Sequence, residues 1–126
     1  MSYKTDKGRV IGLGSAKEGV HAWWMSRMTS VALIPLTLIF VWRVAPLIGT
    51  EHSAVVAALQ SPFTAISTIL FLLVVAQHLA DGLKEVFVDY VHTKGLLVVM
   101  LVASRLGCYA FGFAGAFAVA KIAFGA

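Results

Sequence analysis

His78 begins a run in which residue type and spacing together suggest chemistry. Gly82, Glu85 and Asp89 follow it at intervals of four, three and four, and Tyr90 comes next. Eleven residues at 3.6 per turn make close to three turns. An unbroken helix would therefore return Asp89 nearly to the azimuth of His78, about 16 Å along the axis. An imidazole offers a metal-binding nitrogen, a carboxylate can carry a proton, and a phenol can present a hydroxyl to a polar headgroup. Upstream, His21 and Arg27 lie six residues apart, and a guanidinium is suited to clamping a carboxylate. Arg105 stands eleven residues past Lys94, with no partner evident from the sequence.

The elements that carry these side chains must be unusually apolar. The chain has 126 residues, 60% of them apolar and 13% charged, with a mean hydropathy of +0.88. An ordinary soluble domain carries about 25% charged residues, and one this small needs polar atoms over most of its surface. The composition excludes a soluble enzyme domain and a disordered tail. A disulfide scaffold is excluded too, since Cys108 is the single cysteine. The net charge of +4 does not imply nucleic acid, because the ten Lys and Arg residues are scattered and form no basic face. There is also no dinucleotide fingerprint, no phosphate-cradling loop and no cysteine cluster for iron–sulfur.

Three apolar stretches are long enough to span a bilayer, predicting an all-α, three-transmembrane-helix anchor. The first, 24–42, rises about 27 Å against a hydrocarbon core of about 30 Å, and has a tryptophan at each edge. The second opens at Ser61-Pro62, where the hydroxyl is expected to cap and the proline to take the first turn. The third runs over 95–120. The spacing predicts helices at about 22–44, 61–84 and 95–120, behind an irregular arm over 1–21 with glycines at 8, 12, 14 and 19. The first stretch is too long for a signal-peptide core, and no small-x-small cleavage site follows Trp42. Lys4, Lys7, Arg9 and Lys17 precede it, the loop over 44–60 has no Lys or Arg, and the loop over 81–95 has Lys84 and Lys94. The amino terminus and second loop are therefore expected in the cytoplasm.

Each ionisable residue has a bland reading and a sharper one. His78 would lie six residues inside Lys84, about 9 Å from the cytoplasmic edge. There it is either a neutral imidazole hydrogen-bonded to a neighbouring helix or an axial ligand to haem iron. Gly82, one turn on, leaves room for a flat macrocycle. Arg27 either snorkels to headgroups or clamps a carboxylate such as a haem propionate. His21 is a second polar contact or a wet surface residue, Asp89 a relay or a solvated loop carboxylate, and Tyr90 a headgroup donor or a belt aromatic. Small residues four apart on the third helix (Ala103/Gly107, Ala110/Ala114/Ala118, Gly112/Ala116/Ala120) either pack the three helices together or receive a partner. His52 is on the wrong side and His21 and His92 are too shallow to face His78 across one porphyrin. A second imidazole is therefore expected from another polypeptide.

Three features in combination resemble the hydrophobic membrane anchor (the D-type chain) of succinate dehydrogenase, respiratory complex II. They are Gly19-Val20-His21 with Arg27 six residues on, His78 with Gly82, and Asp89-Tyr90 eleven and twelve residues after His78. The resemblance implies that His78 is an axial ligand to a haem b shared with a sister anchor subunit. It implies that Tyr90, with Asp89 beside it, meets ubiquinone, and that Arg27 and His21 lie near the haem propionates. It further implies partner subunits that carry the catalysis, a flavoprotein with FAD and an iron–sulfur protein with its clusters. This chain would then be a bacterial inner-membrane protein with no catalytic residue of its own. The segment Val91-His92-Thr93-Lys94-Gly95 departs from the basic, proline-containing segment of some members. A fumarate reductase anchor and a non-redox scaffold or transporter subunit are the alternatives. A stoichiometric haem b would exclude the scaffold.

Overall fold

Proline and the spacing of apolar residues decide where the helices start and how far they run. The computed structural model describes residues 5–11 and 19–125; Lys4, Gly12, Gly14 and Lys17 of the arm lie outside the described residues. The helices are α1 (Asp6–Ile11), α2 (Gly19–Val44), α3 (His52–Leu59), α4 (Pro62–Tyr90) and α5 (Lys94–Ala123), with a 3₁₀ turn at Ala45–Leu47. There is no strand among the described residues. Pro62 takes the first position of α4 as the sequence predicts, but the Ser61 hydroxyl makes no capping bond. Instead its carbonyl accepts the Ala65 amide at 2.9 Å, and the proline's missing N–H removes one donor that would need a cap.

The structure differs from the sequence reading in three places. The helix expected to end near residue 84 continues to Tyr90, so the second connection is only residues 91–93. Gly82 costs about 1 kcal/mol against alanine in a helix, too little to stop a run that continues Leu83-Lys84-Glu85-Val86-Phe87 without a proline. The arm contains α1, and the loop over 44–60 contains α3, an Ala- and Val-rich turn pair that touches α4 and α5.

α2, α4 and α5 are each long and apolar enough to cross a membrane. At 29 and 30 residues, α4 and α5 are about 43–45 Å long, some 15 Å more than the hydrocarbon core. Their ends therefore reach the polar zone, Asp89 and Tyr90 among them. Pro35 sits inside α2, a position that breaks a hydrogen bond and is tolerated in membrane helices where neighbours compensate.

α4 packs on both α2 and α5. The side chains it buries are small: Thr64, Ala65, Ser67, Thr68, Ala76 and Ala80. Lipid is as apolar as leucine, so helices here gain by close backbone approach rather than by hiding large side chains. Gly112 marks the closest approach, since a Cβ built on it would fall 2.7 Å from the Ala76 Cβ. Phe40 of α2 stacks on Phe71 of α4 with ring centroids 4.3 Å apart. Leu38, Phe111, Phe113 and Phe117 are exposed, as lipid-facing residues should be. Of the small-residue stripes, Gly112/Ala116/Ala120 lies toward the chain's own helices, while Ala110, Ala114 and Ala118 are exposed.

Candidate functional site

The site is built around one cross-helix hydrogen bond. His78, half-buried on α4, places Nδ1 3.1 Å from the Thr29 hydroxyl of α2. Thr29 is buried, and its single hydroxyl hydrogen has two backbone acceptors, the carbonyls of Met25 at 3.0 Å and Ser26 at 3.1 Å. Threonines inside helices usually donate back to such carbonyls. If the hydrogen pointed at the imidazole instead, oxygen lone pairs would face two carbonyl oxygens at contact distance. Thr29 therefore donates to its own helix and accepts from His78, which makes Nδ1 the protonated nitrogen. Nε2 keeps its lone pair.

His78 lines a groove of about 660 Å³ between the start of α2 and the interior of α4 and α5, within the roughly 300–1,000 Å³ range of cofactor and ligand sites. His21 and Ser26 of α2, Asp81, Gly82 and Glu85 of α4 and Arg105 of α5 share its wall. Beyond the helix's own backbone, nothing lies within 4 Å of the place where a Cβ on Gly82 would be, so the face one turn from the imidazole is open. Among the described residues no three His, Cys, Asp or Glu side chains converge. His78 offers a nitrogen donor to this groove, with His21 on the same wall.

Arg105, which had no partner in the sequence reading, acquires neighbours through the fold. Its guanidinium lies 5.9 Å from the ring centroid of Tyr109. The Tyr109 hydroxyl donates to Gln77 Oε1 at 2.7 Å, and the Gln77 amide donates to Asp81 Oδ2, also at 2.7 Å. This string ties α5 to α4 and puts an acidic group in the same groove as Arg105. Asp81 lies well inside α4, which runs on to Tyr90.

The remaining expected site residues are dispersed. Arg27 is exposed, with its guanidinium over the Trp23 ring at 5.6 Å, and it is not part of the groove wall. α4 is unbroken from His78 to Asp89, the condition under which the two share an azimuth. Asp89 and Tyr90 are both exposed at the end of α4, about 16–18 Å from His78 along the axis and outside the groove wall. His92 Nδ1 contacts the Tyr90 carbonyl at 3.1 Å. No motif in the sequence marks Thr29 or Tyr109. Thr29 contacts a residue forty-nine positions away, and no local pattern signals such a pairing.

A family profile described as succinate dehydrogenase/fumarate reductase transmembrane subunit matches residues 1–120. The succinate dehydrogenase hydrophobic membrane anchor subunit of Paracoccus denitrificans is 32% identical over 126 residues, covering all of this chain and 97% of that one. The subunits of the same name from Rickettsia bellii and Rickettsia conorii are 24% and 23% identical, covering 74% and 84% of this chain and 74% and 85% of their own. No solved structure matches the chain significantly. A profile match over nearly the full length, a relative aligned end to end and three membrane-length helices agree: the chain is an integral membrane protein that belongs to the succinate dehydrogenase/fumarate reductase transmembrane subunit family.

Proposed function

We propose that this chain is the hydrophobic anchor of a succinate:ubiquinone oxidoreductase. His78 would help hold a haem b shared with a sister anchor, and the chain contributes Tyr90 and Asp89 to a ubiquinone-reduction site on the cytoplasmic side. The observation that carries the reading is the His78 imidazole, held at Nδ1 by Thr29 with Nε2 left as the donor and open space beside Gly82. Histidines that bind metals usually give the other ring N–H to a fixed acceptor, so the residues present fit the group. A bound haem would supply one-electron transfer.

The chain's own residues have separate tasks. α2 and α4 hold the imidazole at membrane depth, where a neutral nitrogen ligand is far less costly than a charge. His21 is placed on the wall of the same groove to meet a polar edge of the group. Arg27, stacked on Trp23, can reach such an edge only if its side chain leaves that ring. At the end of α4, the Tyr90 hydroxyl donates to a quinone carbonyl oxygen while the isoprenoid tail stays in lipid. Quinone reduction takes up two protons, and the Asp89 carboxylate is placed to pass them from the aqueous side. The flavin and iron–sulfur chemistry belongs to the partner subunits.

The test is a pair of variants in the purified complex. His78→Leu removes or alters the haem b signal in a pyridine haemochrome and low-temperature spectrum; an unaltered low-spin spectrum refutes the ligand assignment. Tyr90→Phe lowers quinone reduction while succinate oxidation with a soluble acceptor survives, and unchanged quinone turnover refutes the quinone role. Absence of stoichiometric haem b from the wild-type complex would refute the haem assignment while leaving the family membership intact.

A further inference from the structure

We infer that Thr29 is the positioning residue for the His78 ligand: by accepting the Nδ1–H it fixes the tautomer, the ring orientation and the donor strength of Nε2. The inference rests on the haem reading of His78 and extends it to a residue on a different helix. Thr29 Oγ1 has one hydrogen and lies 3.0 and 3.1 Å from two carbonyls that can only accept, so its 3.1 Å contact with Nδ1 is one in which the imidazole donates. A free histidine divides its proton between the two nitrogens and rotates about its terminal torsion. Here both freedoms are removed before any ligand arrives.

The consequence is electronic as well as geometric. An imidazole whose far N–H is held by an acceptor is a more basic ligand, and a more basic ligand favours ferric over ferrous iron. Thr29 already donates to its own backbone, which raises the electron density on the oxygen and makes it a better acceptor than an isolated hydroxyl. The contact also joins α2 to α4, so it couples the packing of those two helices to the ligand.

The experiment compares Thr29→Val, Thr29→Ala and Thr29→Ser in the intact complex, with His78→Leu alongside. Valine keeps the shape and loses the acceptor, and serine keeps the acceptor. The expected result for valine is a more positive haem midpoint potential and altered g-anisotropy in the low-spin electron paramagnetic resonance spectrum. Haem transfer to an excess of an apo-globin scavenger should reveal binding weaker by about 10–100-fold, the usual cost of removing such a support. Serine restores all three, and alanine reads the same way as valine. Wild-type potential, spectrum and haem retention in the valine variant would overturn the inference while leaving the haem reading intact, provided His78→Leu loses the haem signal. Unchanged haem in His78→Leu would overturn the haem reading itself. If valine and alanine both fail to assemble where His78→Leu assembles, the hydroxyl serves helix packing rather than the imidazole, and the inference also falls.

Discussion

At the scale of single residues, a few polar side chains reach across helices, while others, such as Ser30 and Ser67, return to their own helix's backbone. Tyr109 is the clearest case outside the His78 site. Its hydroxyl reaches Gln77, whose amide in turn reaches Asp81, each at 2.7 Å, and its ring lies under Arg105. Tyr109→Phe keeps the ring and the cation–π contact but removes the link between α5 and α4. Interhelical hydrogen bonds in membranes average about 0.6 kcal/mol and reach about 1.7. The expected loss of stability is about 0.5–1.5 kcal/mol, read from unfolding of the detergent-solubilised complex. Haem content should be unaffected, since Tyr109 is absent from the wall of the His78 groove. A larger loss would mean that the string is cooperative.

At the scale of elements, α4 and α5 meet where side chains are nearly absent. A Cβ added to Gly112 would stand 2.7 Å from that of Ala76, whereas one added to Gly107 would meet nothing within 4 Å. Two alanine substitutions on one helix therefore have opposite expectations. Gly112→Ala forces α4 and α5 apart and costs about 1–3 kcal/mol, the usual range for overpacking. Gly107→Ala is neutral or stabilising by up to about 1 kcal/mol, since alanine is the better helix former. Thermal unfolding of both variants in one detergent checks the pair. Adding Ala76→Gly to Gly112→Ala should recover part of the loss, because the two positions share one contact.

At the scale of the whole molecule, three long helices expose much of their apolar surface, which suits lipid and companion subunits. The 91–93 link and the loop at 48–51 lie at opposite ends of α4, so they face opposite sides of the membrane. By the distribution of basic residues the 91–93 link is expected on the cytoplasmic side. In a Cys108→Ser background, cysteine at Thr93 should react with an impermeant thiol reagent from the cytoplasmic side, and cysteine at Thr50 from the other. The reverse pattern would invert the topology and move Tyr90 and the proposed quinone site to the opposite face.

The number of spans, their apolar character and the candidate imidazole were legible in the sequence. Each depends on local quantities: hydropathy over about twenty residues, and one ionisable group set in an apolar run. The length of α4 was not, because one glycine and two flanking charges look like a helix end, and only the continuation to Tyr90 shows that they are not. Nor could the sequence indicate which nitrogen of His78 is protonated, which cation faces Asp81, or which glycine touches α4. Those facts are set by the rotation of one helix about its axis against another. Two residues forty-nine apart, Thr29 and His78, become partners only when α2 and α4 pack, and the sequence periodicity of each helix says nothing about that angle.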